Sequence, residues 1–123
     1  MKKIVVLGGT GFLGRHLVKR LSDREYDVRL LVRDSSDVGD LSNFNKVEII
    51  RGDYFDKDQL ENIVANSDAV LTTIAPKPFG RLPEVEMSRY KASFVDLLRV
   101  IEAHKINRLV HIAGSTIRFK DEN

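Results

Sequence analysis

Gly8, Gly11 and Gly14 recur at three-residue intervals within the stretch GGTGFLG. They carry no reactive side chain; what they supply is bare backbone. A turn without Cβ atoms lets main-chain N–H groups converge on an anion, and a helix opening at that turn adds the positive end of its dipole. Gly8 suits the tight turn itself, Gly11 the close approach of backbone to a pyrophosphate, and Gly14 the packing of a helix near a strand. The candidate phosphate cradle is therefore Gly8, Thr10, Gly11, Phe12, Leu13 and Gly14. A turn that is merely rich in glycine has the same composition, so the flanks decide. Ile4, Val5, Val6 and Leu7 precede it as an apolar run, and Phe12, Leu13, His16, Leu17, Arg20 and Leu21 follow at helical spacing. Strand, glycine turn and helix in that order point to a dinucleotide.

Further candidates lie where later strands should end. Arg33 stands 22 residues after Gly11, at the end of a second apolar run. A guanidinium there can fork onto a ribose 2′-phosphate. Such a charge-assisted bond is worth about 1.5–3 kcal/mol, roughly one to two decades of preference for NADP. Asp34 is the alternative, as a carboxylate on a free 2′-hydroxyl and hence for NAD; Arg33 as a plain surface arginine is another. Asp53 can accept from an adenine amino group while the Tyr54 backbone amide meets the ring; it can equally be a turn or cap aspartate. Ala75, small and next to Pro76, leaves room for the nicotinamide ribose. Ser115 and Thr116 would bring hydroxyls near the nicotinamide, although both residue types commonly form turns.

These residues need a scaffold, and the pattern of the chain supplies one. Strands are expected over 3–8, 27–33, 47–50, 69–74 and 108–112, with helices over 11–22, from an N-cap at Asp56 to about 66, and over 84–104. A short helical turn near 41–44 is also expected. All three prolines fall between 76 and 83, which marks a loop. In the long helix Met87, Tyr90, Phe94, Leu97, Leu98 and Ile101 form an apolar stripe, read as core, part of which could serve as a homodimer contact. Five strands alternating with helices give an α/β fold with a doubly wound parallel sheet. Right-handed crossovers set the strand order 3-2-1-4-5, the Rossmann arrangement. Ligands in such sheets sit beyond the carboxyl ends of the strands, where all the candidates above fall.

Composition narrows the partners. The 123 residues favour a single domain, and 42% hydrophobic with 31% charged residues is ordinary for a globular protein. Net charge is only +2 with no basic block, so no nucleic-acid footprint is expected. With no cysteine, disulfides, thiolate metal sites and cysteine nucleophiles are excluded. His16, His104 and His111 have no metal-ligand spacing, so no metal is expected. The four-residue apolar run near the N-terminus is too short for a signal sequence or a membrane span, and a cytoplasmic location is the expectation.

The glycine pattern, VRD after the second strand, GDYFD after the third and HIAGST at the fifth together resemble the short-chain dehydrogenase/reductase superfamily. They are most similar to its epimerase/dehydratase-like and NmrA-like NAD(P)-binding branches. The resemblance covers the chain but only the N-terminal half of the family's fold, so residues 1–123 are expected to be part of a longer protein. It implies NADP through Arg33, with NAD as the other cofactor, an adenine contact at Asp53, and a catalytic serine near Ser115. One departure matters. The family's Tyr-x-x-x-Lys pair is absent: the residues four positions after the three tyrosines are Leu30, Asp58 and Phe94. The implied role is dinucleotide binding in a reductase- or epimerase-like protein, or a redox sensor that binds without turnover.

Overall fold

The computed structural model describes residues 2–9, 11–34, 37–73 and 84–112. Its elements run β1 (Lys3–Leu7), α1 (Phe12–Asp23), β2 (Asp27–Val32), a 3-10 turn η1 (Gly39–Asn43), β3 (Val47–Arg51), α2 (Lys57–Val64), β4 (Ala69–Thr72), α3 (Glu84–Ala103) and β5 (Arg108–His111). Each expected strand and helix is present, with ends within about two residues of expectation. The largest changes are at β4, whose ladder ends at Thr72, and at α2, which ends at Val64. The expected helical turn starts two residues early, as a 3-10 turn.

All five strands are parallel, in the order β3-β2-β1-β4-β5. The N-terminal strand is therefore central: Ile4 pairs with Val28 on one side and Ala69 on the other. A parallel sheet wound on both faces must be apolar on both, and alternation along the strands sorts the side chains. Val5 and Leu7 join Leu31, Val70, Leu60, Ile63, Leu97 and Val100 beneath α2 and α3. Ile4 and Val6 join Val28, Leu30, Val32, Val18 and Leu41 beneath α1 and η1.

Local chemistry fixes the helix ends. Asp56 caps α2, its carboxylate accepting from the Asp58 amide at 2.9 Å and the Gln59 amide at 3.4 Å. The far end of α2 is held from the sheet: Arg29 Nη1 donates to the Ile63 carbonyl at 2.9 Å, and its Nε lies 3.5 Å from Glu48. His104, just past the end of α3, meets Glu61 of α2 at 3.3 Å.

The apolar stripe of α3 divides. Leu97 and Val100 are buried, with Tyr90 and Ile101 packed against the same core. Met87 and Leu98 remain 37% and 43% exposed. The core contacts run along the Tyr90–Leu97–Val100 line, and Leu98 lies about 100° around the helix from Leu97. β5 is the thinly covered edge, with Val110 half exposed.

Candidate functional site

A parallel sheet brings its five carboxyl ends to one rim, and the glycine turn, Arg33 and Asp53 lie there among the described residues. The glycine turn leaves β1 first. Gly8 has φ +85°, a left-handed conformation that a side chain disfavours. Its carbonyl accepts from the Thr73 hydroxyl at 2.8 Å, while the Thr73 amide donates to Leu7 at 3.0 Å. The exit of β4 is thus tied to the exit of β1, where the strand order reverses. A Cβ on Gly14 would lie 2.5 Å from the Gly8 carbonyl oxygen and 2.7 Å from the Gly9 Cα, so the start of α1 can rest on the turn only with glycine there. Gly11 is the opposite case: no described atom lies within 4 Å of where its Cβ would stand, and the backbone faces open space.

The helix that follows suits an anion. Gly11 takes the N-cap position in extended conformation, no acidic residue occupies the first turn of α1, and its Arg15 amide is the first to bond back, to Gly11, at 2.9 Å. The earlier amides of that turn point toward the rim without a carboxylate to compete for them. Leu13, 44% exposed, stands at the same turn. These observations fit a pyrophosphate group.

Around the rim, Arg33 follows the last residue of β2 and is exposed. Asp53 follows β3 by two residues; its Oδ1 accepts from the Phe55 amide at 2.9 Å, and its own amide donates to Gln59 Oε1 at 2.6 Å. The carboxylate therefore builds its own turn, the alternative weighed for it, while the residue stays exposed on the rim. Tyr54 points its side chain the other way, into the core, where it is 8% exposed. Burial pushes its hydroxyl up to about 12; a hydrogen bond with Tyr90 and the charges of Tyr90 and Asp53 act in the same direction, and Arg33 opposes them. Ser93 of α3 donates to the Tyr54 carbonyl at 2.7 Å, which ties the turn after β3 to the long helix. Thr10, Ala75 and Ser115 lie outside the described residues, as does the side chain of Phe12.

Beside the glycine turn, on the α3 side, a cavity of about 520 Å³ opens between Leu7, Thr72 and His111 of the sheet and Tyr90, Phe94 and Leu97 of the helix. Its walls are mainly apolar, with His111 set edge-on to Phe94 at 5.0 Å. Among the described residues no cluster of His, Asp or Glu could hold a metal ion. Nor is any described helix long and apolar enough to cross a membrane.

Sequence reasoning missed the residues that brace the rim from behind. Arg15 and Arg51 donate to main-chain carbonyls of the loop after β2, and Thr73, Gln59 and Ser93 secure the turns after β1 and β3. Their partners are backbone atoms distant in sequence, so residue type and spacing carried no signal for them.

A family model described as NAD(P)H-binding matches residues 8–122, nearly the whole chain. The chain belongs to the NAD(P)H-binding family. Among curated proteins it is 25% identical over 122 residues to the decarboxylating sterol-4-alpha-carboxylate 3-dehydrogenase of Mus musculus, covering 97% of this chain and 32% of that protein. It is 43% identical over 61 residues to a putative UDP-glucose 4-epimerase of Methanocaldococcus jannaschii, covering 49% of this chain and 19% of that one. The chain thus spans a third or less of these relatives. Among solved structures, a short-chain dehydrogenase/reductase from Veillonella parvula in complex with NADP superposes with a TM-score of 0.73 at 16% identity, covering 96% of this chain and 50% of the other. The chain is an NAD(P)H-binding domain, and the proteins it is similar to include dehydrogenases and a putative epimerase, the kinds of protein its motifs resemble.

Proposed function

We propose that this NAD(P)H-binding chain prefers NADP and forms the cofactor-holding part of a reductase- or epimerase-like protein. The observation that carries the preference is Arg33, exposed and directly after β2 at the rim that the glycine turn begins. Gly8, Gly11 and Gly14 would hold the pyrophosphate, with Thr10, Phe12 and Leu13 around it. Arg33 would take the 2′-phosphate, Asp53 and the Tyr54 amide the adenine, and Ala75 the nicotinamide ribose, with Ser115 as the candidate catalytic hydroxyl. Isothermal titration with NADPH and NADH tests this. Tighter NADPH binding is expected, and Arg33→Ala should cut that advantage roughly tenfold or more, the value of one charge-assisted bond. Absence of heat with either cofactor would defeat the binding reading; equal affinities unchanged by Arg33→Ala would defeat the preference.

A second reading, a redox sensor binding NAD(P) without turnover, is favoured by the exposed apolar face of α3, formed by Met87, Val95 and Leu98. That face would receive a protein partner or a second copy of the chain. Unequal affinity for oxidised and reduced cofactor, with no turnover on a panel of small carbonyls, supports it; turnover argues against it.

A further inference from the structure

We infer that Arg15 and Arg51 are positioning residues that fix the loop after β2 and, through it, the discrimination between phosphorylated and unphosphorylated dinucleotide. The inference deepens the NADP reading above and rests on it.

The loop from Arg33 to Asp40 carries one arginine against three aspartates, Asp34, Asp37 and Asp40. By itself it is a net-negative segment, a poor neighbour for a phosphate. Two guanidiniums from outside the loop alter that. From the end of β3, Arg51 Nη1 donates to the Arg33 carbonyl at 3.3 Å and the Asp34 carbonyl at 3.1 Å. From the first turn of α1, Arg15 Nη1 donates to the Val38 carbonyl at 3.1 Å and Nη2 to the Asp37 carbonyl at 2.6 Å. Arg15 Nη1 also lies 3.9 Å from Asp40. Gly39, at φ +54°, fits against this fork, since a Cβ there would come within 2.9 Å of Nη1. Asp37 closes the turn by accepting from the Gly39 amide at 2.9 Å.

Three consequences follow. Four loop carbonyls are engaged by cationic donors. The excess negative charge of the loop is balanced by the two added cations. And Arg33 starts from backbone held at its own carbonyl. Because the Arg15 amide also bonds the Gly11 carbonyl, one residue joins the glycine turn to the loop that selects the 2′-substituent. The planar fork of arginine suits this double attachment.

Arg15→Gln and Arg51→Gln, each in the full chain, are compared with wild type by amide hydrogen exchange and by the affinities for NADPH and NADH. In Arg15→Gln, exchange at the Gly39 and Leu41 amides should rise at least tenfold with strand amides unchanged, and each variant should lower the NADPH-to-NADH affinity ratio about tenfold with NADH binding within twofold of wild type. Unchanged exchange in Arg15→Gln overturns the anchoring. Equal loss of both cofactors, or an unchanged ratio, overturns the specificity role. A wild-type chain that shows no NADPH preference overturns both the NADP reading and the specificity role, while the exchange arm still decides the anchoring by itself.

Discussion

Gly14 rests directly on the Gly8 carbonyl, and that close backbone approach sets what a mutation there does. Gly14→Ala places a methyl group 2.5 Å from a carbonyl oxygen that cannot leave, because Thr73 holds it. The helix must lift instead. A destabilisation of about 1–3 kcal/mol is expected, as for other overpacked sites, together with at least a tenfold loss of NAD(P)H affinity; denaturant unfolding and cofactor titration check the two. Tyr54 yields a different test. Its hydroxyl is held protonated beyond the ordinary tyrosine range, up to about 12. The folded state keeps the proton where the unfolded chain has already lost it, so the stability Tyr54 contributes is complete below pH 10 and is lost as pH climbs from 10 toward 12. Ultraviolet titration at tyrosinate wavelengths should show a late ionisation step that Tyr54→Phe removes. Residue roles of this sort were unevenly readable beforehand. The glycines announce themselves because backbone sterics at a turn depend on local sequence. The two loop-bracing arginines do not, since a carbonyl acceptor can be offered by any residue type.

At the level of elements, α2 shows how far local signals reach. Asp56 at its start was legible because a capping aspartate acts on amides two and three residues away. Asp56→Ala should cost about 1 kcal/mol, read as a lower denaturant midpoint with an unchanged slope. The other end of α2 was not legible: Arg29, 34 residues earlier, reaches across from the sheet to the Ile63 carbonyl. α3 is the instructive failure. Its apolar positions at three- and four-residue spacing define a broad band, and periodicity alone does not say which edge of that band faces the sheet. Packing chose the Leu97–Val100 side and left Met87 and Leu98 toward solvent. Just past the last ladder residue of β4, Thr73 turns its hydroxyl to the Gly8 carbonyl, a tie to β1 that the strand's own residues do not signal.

For the molecule as a whole, topology was the most legible property. Five apolar runs alternating with helical segments, together with a fixed crossover hand, leave few arrangements, and the observed order is the expected one. The assembly is a matter for experiment. We propose that the α3 face formed by Met87, Val95 and Leu98 pairs two copies of the chain: they are 37%, 45% and 43% exposed, and at 100° per residue they fall within a sector of about 80°, a contiguous apolar patch that favours burial against a partner. Light scattering should then give the mass of a dimer for wild type and of a monomer for Leu98→Glu, with the far-ultraviolet spectrum unchanged. A monomeric wild type over the accessible concentration range would refute the pairing.

The position of β1 has a consequence for how the chain comes off the ribosome. The first strand made is the middle one, and its second neighbour, β4, begins only at Ala69. Until that segment emerges, one edge of a strand that is apolar from Ile4 to Leu7 has no partner, and the Gly8 carbonyl has no Thr73 to accept from. A nascent chain with β1, β2 and β3 in place therefore carries an open, sticky edge at its centre. The glycine turn can take its final shape only once the second half of the sheet has arrived, so competence to hold a cofactor comes late in synthesis although the residues that supply it come first.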